Sequence, residues 1–250
     1  MKTLVDWAQN NTKSLAQEKT LNRILRLAKT KDAAEAQRYF EAVPILDLSA
    51  DPWVAAPAPM DMLVVCAIPS LSSLKIDGQP MENFEAVTNL QNAQTLSVAS
   101  CGITNIEFLT QFSKLKSVNV SKNGLRTLAP LAPLTQLEEI IANDNNITDI
   151  AVCANFLELR KLCVSNNMIE DLQPLSKTKK LRSLDVSRNK IDALDPVRDL
   201  RDLAVLNVRE NRVRDLKPLR DMWGLSELTI SGNPIHEEDL EDISRKVRIQ

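Results

Sequence analysis

The sequence is poor in several residue types on which much enzyme catalysis depends. It holds a single histidine, His236, in 250 residues. That removes most His-based acid–base chemistry and the usual zinc ligand sets. Only 4% of residues are aromatic and five are glycine, so the bulk of any core must come from Leu, Val and Ile. The four cysteines, Cys66, Cys101, Cys153 and Cys163, show no paired or CxxC spacing. They read as reduced thiols, and a cytoplasmic location is expected. No window approaches the ~18 apolar residues of a membrane-spanning helix. The start, MKTLVDWAQNN, meets Asp6 and several amides before any apolar run, so no secretory leader is expected. A net charge of −2 gives no global pull toward nucleic acid or anionic membranes. Neither GxxxxGK(S/T) nor GxGxxG is present to hold a nucleotide. No cofactor, metal site, catalytic residue or small-molecule substrate is expected.

What the chain does have is a period. Stepping by 22 from Asn189 gives Asn167, Asn145, Asn123, then Cys101 and Gln79 in one direction, and Asn211 and Asn233 in the other. An aliphatic residue stands five before each of these, as at Leu162, Leu184 and Leu206, and another three before, as at Val164, Val186 and Val208. Apolar side chains two apart make a short strand with one buried face. A fixed period of this length marks a solenoid in which each coil adds one strand to a parallel sheet. Where the chain turns inward after the strand, its backbone groups lose sheet partners, and a buried amide can bond them. Unpaired, they would cost roughly 1–3 kcal/mol per site. The asparagines are therefore expected to be frame: rungs of an internal ladder. Further apolar residues, such as Leu194, Val197, Leu200 and Leu203, suit a tight helical turn on the outer face. Pro130, Pro174, Pro196 and Pro218 recur just where such a turn starts.

The unit LRSLDVSRNKIDALDPVRDLRD resembles the 22-residue class of leucine-rich repeats. That class includes the regulatory-subunit type of protein phosphatase 1, the internalins and many uncharacterised bacterial proteins. The segments LAPLAPLTQL and IEDLQPLSKTKKL are most similar to the bacterial members, and the likeness covers about residues 71–236. It implies an α/β fold: a right-handed leucine-rich repeat solenoid, or horseshoe. Its concave face would carry a parallel β-sheet, its convex face 3-10 turns, and its N-terminus an α-helical cap.

Three segments are expected. Residues 1–44 read as a helical cap, with a capping box at Ser14–Gln17 and an apolar stripe of Leu21, Ile24, Leu25 and Ala28. A further helix from Asp32 should bury Tyr39, Phe40 and Val43. Residues 45–236 should hold about nine coils. The first is PILDLSADPW, with Leu46, Leu48 and a rung at Asp51; an insertion at 53–59 makes it irregular and places Trp53 at an edge, as a possible contact. Residues 237–250 read as a short C-terminal cap with a helix from about Glu237.

Function must come from side chains that alternate with the buried ones. Ile141 and Cys163 are expected as neighbours on the concave face, ringed by Glu139, Asn143, Lys161 and Asp185, with Asn119, Lys122 and Asn207 nearby. An apolar spot with a polar rim is what an interaction hot spot requires. Cys163 is the one thiol expected to be exposed. A basic band also runs from Arg160 to Arg220, fifteen Lys or Arg against nine Asp or Glu. Within it Arg188, Arg209 and Arg212 should cluster, with Glu210 and Asp185 interleaved. The expected function is a non-enzymatic, monomeric module that binds a protein or peptide partner. A regulatory subunit of a phosphatase or other enzyme is the alternative. Nucleic-acid binding through the basic band is a distant third, since no aromatic residue is read there.

Overall fold

In a computed structural model the described residues are 2–51, 59–83, 89–235, 243 and 247–249. Trp53, His236 and the helix expected from Glu237 lie outside them. The chain forms two compact units, one of residues 1–103 and 107–115, the other of residues 104–106 and 116–250.

The first unit opens with three helices, α1 (Leu4–Gln9), α2 (Leu15–Leu27) and α3 (Ala33–Ala42). Each starts at a side chain that accepts backbone N–H groups, and α1 and α2 carry complete capping boxes at Thr3/Asp6 and Ser14/Gln17. Leu4, Trp7, Leu21, Ile24, Ala36 and Phe40 turn inward. Tyr39 and Val43 do not: each is 40% exposed, because the buried face of α3 runs through Ala33, Ala36 and Phe40, a 3–4 spacing that skips them. Next come β1 (Ile45–Asp47), β2 (Met60–Asp61), the short helix α4 (Met62–Val65), β3 (Ser73–Lys75), β4 (Met81–Glu82) and β5 (Thr95–Ser97).

Strand β1 pairs in parallel with β3, Leu46 opposite Leu74, despite the 28-residue step, and β3 pairs with β5. Strands β2 and β4 make a separate two-stranded parallel sheet. The helices are tied to these coils by buried polar contacts. The Thr20 hydroxyl donates to the Ala16 carbonyl at 2.7 Å and accepts the Asp61 N–H at 2.8 Å. Asp61, 1% exposed, caps α4 through the Leu63 N–H at 2.7 Å and accepts from Asn83 Nδ2 at 2.9 Å. Asp51, by contrast, is exposed and forms no buried rung.

The second unit carries β6 (Ser117–Asn119), β7 (Glu139–Ile141), β8 (Lys161–Cys163), β9 (Ser183–Asp185), β10 (Val205–Asn207), β11 (Glu227–Thr229) and β12 (Arg248–Ile249). Each pairs in parallel with the next, Val118, Ile140, Leu162, Leu184, Leu206 and Leu228 lying in one buried row. Burying one such side chain contributes about 2 kcal/mol. Strand β12, paired with β11, is a strand beyond the positions read from the period, and nothing in its two residues announces it. Opposite the strands, 3-10 turns at Ala129–Leu131, Gln173–Lys177, Asp195–Val197 and Lys217–Leu219 each carry proline in the first turn. The lost proline N–H would have had no helical partner there.

A second period is absent from any reading of residue types. The residue just before each rung has positive φ: Gly78 (70°), Ser100 (56°), Lys122 (55°), Asp144 (57°), Asn166 (53°), Arg188 (54°), Glu210 (54°) and Gly232 (77°). A left-handed residue turns each strand inward, and for non-glycine types that conformation costs about 1 kcal/mol. Lys122 is exposed and makes no ion pair among the described residues. Lys122→Gly is expected to stabilise the chain by about 0.5–1 kcal/mol, relief of the strain exceeding the added chain entropy. A denaturant midpoint that falls instead of rising would contradict the strain.

Candidate functional site: the open face of the strands

The asparagine ladder sets the geometry of everything above it. Asn167 Nδ2 donates to the carbonyls of Ala142 (3.0 Å), Val164 (3.0 Å) and Ser165 (3.1 Å), while Oδ1 accepts the Ile147 N–H at 2.9 Å. Asn145, Asn189 and Asn211 repeat this pattern one coil apart. Asn233 ends it, donating to Val208 and Ile230 and accepting from Val213. Each side chain joins its own coil to the one before. In the first unit Cys101 takes the equivalent carbonyls through Sγ, Ile76 at 3.2 Å and Ala99 at 3.4 Å. Gln79 is buried, but its Oε1 has no hydrogen-bond partner among the described residues.

On the other side of the strands the register aligns Asn119, Ile141, Cys163, Asp185, Asn207 and Thr229 in one half-buried column. Most of its polar members have a structural task. Asn119, Asp185 and Asn207 each accept the backbone N–H two residues on, those of Ser121, Ser187 and Arg209. Asn143 Oδ1, one column over, accepts the Ser165 N–H of the next coil at 2.9 Å. Glu139 and Lys161 are opposite one another and pair at 2.8 Å, and Ser117 donates to Glu139 at 2.9 Å. Partial burial acts to raise the Glu139 carboxyl, but the bonds from Lys161 and Ser117 outweigh it and hold it below the usual carboxylate range. The bond to Glu139 raises Lys161 in turn. Ile141 and Cys163 remain as adjacent apolar side chains.

Burial pushes the Cys163 thiol up to about 11, so it is neutral at pH 7. It is half-buried like Cys101, rather than the exposed thiol expected from the sequence. Arg188 and Arg209 both reach Glu210, at 2.9 Å each, and the bond from Arg188 lowers the Glu210 carboxyl. Arg212 does not join them and makes no ion pair among the described residues. Asp185 is occupied by Ser187, not by arginine. Lys122 stands in the left-handed column, exposed.

These coils match what is known at two levels. The family model described as Leucine Rich repeats (2 copies) matches residues 157–199. Solved structures extend the likeness over most of the chain. Internalin C2 of Listeria monocytogenes superposes with a TM-score of 0.75 at 21% identity, covering 84% of this chain and 91% of its own. The chain has the leucine-rich repeat fold. An internalin (InlF) of the same bacterium gives 0.60 at 20% identity, covering 92% and 89%. The leucine-rich repeat ectodomain of the Arabidopsis thaliana receptor kinase GASSHO1/SCHENGEN3, solved in complex with Casparian Strip Integrity Factor 2, gives 0.61 at 17% identity. That match covers 81% of this chain and 29% of the ectodomain. No curated protein matches this leucine-rich repeat chain in sequence.

One exposed residue of this leucine-rich repeat chain went unread in the sequence. Trp223, 79% exposed, is an aromatic beside the basic band, and with Arg198, Arg201 and Lys217 it lines a cleft of about 450 Å³. Its signal was available: the same coil position is Leu157, Lys179 and Arg201 in the preceding repeats, all exposed.

Proposed function

We propose that the chain is a non-enzymatic protein-interaction module, binding a protein or peptide partner on the open face of its later strands. The observation that carries this reading is the Ile141–Cys163 pair. It is an apolar, half-exposed spot in register, bordered by the Glu139–Lys161 ion pair and by amides already bonded to backbone. A pre-ordered rim keeps the entropic cost of association low. Around that centre we place Asn119, Lys122, Asn143, Asp185, Arg188, Asn207 and Arg209 as contacts. Residues 1–44 and 237–250 would act as caps on the coils of 45–236. The receptor-kinase ectodomain that shares the fold and is recorded in complex with a partner supports a binding role.

Against catalysis stand two features of the side chains. Cys66, Cys153 and Cys163 are held as neutral thiols by burial, and Cys153 is pushed up to about 12. Asp77, Asp144 and Asp185 each accept hydrogen bonds from neighbouring Ser, Asn or backbone groups. Four free thiols support a reducing, cytoplasmic setting, and the proposed working form is a monomer.

Ile141→Glu is the test. Introducing a charge into a desolvated hot spot costs an interface on the order of 2 kcal/mol or more. In paired captures from source-cell lysate, the wild-type chain should retain a partner that the variant loses, with melting unchanged to within about 3 °C. A partner retained equally by both would exclude this face.

A further inference from the structure

We propose that one edge of the later coils is a second docking surface, for a short extended peptide carrying two carboxylates between apolar side chains. Leu157, Lys179, Arg201 and Trp223 occupy one coil position, 22 residues apart. The coils are stacked directly at this edge. Three residues on, Arg182 N–H donates to the Arg160 carbonyl, Ala204 to Arg182 and Ser226 to Ala204, all within 2.9 Å. One residue on, Lys180 reaches Glu158 at 2.6 Å. Arg201 and Trp223 line the same cleft. The four side chains therefore form a row: apolar, cation, cation, apolar. Its ends are strongly exposed, Leu157 at 58% and Trp223 at 79%.

The two cations in the row are uncommitted among the described residues, whereas three cations close to them are paired. Lys180 pairs with Glu158, Arg198 with Asp195 and Lys217 with Asp215. Lys179 and Arg201 make no ion pair among the described residues, nor do the flanking Lys177 and Arg182. Three coil steps at ~4.8 Å span about 14 Å, the length of four to five extended residues at ~3.3 Å each. An acidic pair flanked by apolar side chains fits that row in charge and in length. Single-stranded nucleic acid fits it less well. Glu158, Asp199, Asp202 and Asp221 interleave with the cations, and phosphate chains are tracked by continuous positive grooves with several stacking aromatics.

The test uses fluorescence anisotropy of the full chain with a labelled pentapeptide pool, apolar–acidic–any–acidic–apolar. Controls are the same pool with Asn and Gln replacing Asp and Glu, and a labelled poly(dT) of about twenty nucleotides. The acidic pool should bind at least about tenfold tighter than its amide counterpart. Trp223→Ala, and Lys179→Glu combined with Arg201→Glu, should each weaken it by about tenfold, with melting unchanged. Ile141→Glu should leave it unaltered, which separates this surface from the strand face. Equal binding of the acidic and amide pools would overturn the proposal. So would wild-type affinity in both edge variants, or binding of poly(dT) without binding of the acidic pool.

Discussion

Asn167→Leu is expected to lower the melting temperature by about 6–12 °C, the shift that a loss of about 3 kcal/mol gives in a chain of this size. Leucine has as many side-chain heavy atoms as asparagine, branched alike, and suits the apolar surroundings, so the main change is the loss of hydrogen bonding. What disappears is the partner of the Ile147 N–H and the donor to Ala142, Val164 and Ser165. Asn167 is 8% exposed, so water reaches these groups poorly. Each group left unpaired in the interior costs about 1–3 kcal/mol, and the broken bonds fall on both coils that Asn167 joins. Asn167→Asp is the informative companion. It keeps the acceptor for Ile147 but sets a carboxylate against three carbonyl oxygens, and should lower the melting point as well. An unchanged melting temperature in the leucine variant would remove the ladder as a source of stability.

Phe156→Ala should cost about 3–5 kcal/mol, the range for deleting a buried phenylalanine from a well-packed site. Phe156 is fully buried, closing the 3-10 turn Ala151–Asn155, with its N–H donating to the Cys153 carbonyl at 3.1 Å. Equivalent positions in other coils hold Leu134, Thr178 and Leu200. Phe156→Leu therefore has a ready template and should cost only about 1 kcal/mol. Chemical denaturation of the three proteins measures both numbers. Equal stability of the alanine and leucine variants would show that the coil collapses freely around this site.

The repeat was legible because its signals come in residue types. Aliphatic rows two apart give strands, and a recurrent asparagine gives the rung, so the register of Leu162 with Leu184 and the burial of Asn189 follow from spacing alone. The left-handed column was not legible: Ser100, Lys122, Asp144, Asn166, Arg188 and Glu210 share a backbone angle and no chemistry. Helix α2 was legible, since its capping box and its 3–4 stripe agree. At α3 a cluster of large residues suggested burial, but Tyr39 and Val43 fall off the inward stripe. On the open face, alternation placed Asn119, Ile141, Cys163, Asp185 and Asn207 in one column. It could not foresee that Asn119, Asp185 and Asn207 bond the turn backbone just after their own strands. Trp223 escaped because it lies outside the alternating columns, on an edge defined only by comparing one coil with the next.

Hydrogen exchange at five backbone N–H groups tests the ladder most directly. Leu125, Ile147, Ile169, Ile191 and Val213 each donate to the Oδ1 of the rung in the following coil. If these amides hold the coils together, all five should exchange only through large-scale opening of the second unit, as slowly as the central strand amides, and Asn167→Leu should release Ile147 selectively. Exchange of the five at the rate of exposed loop amides would contradict the ladder.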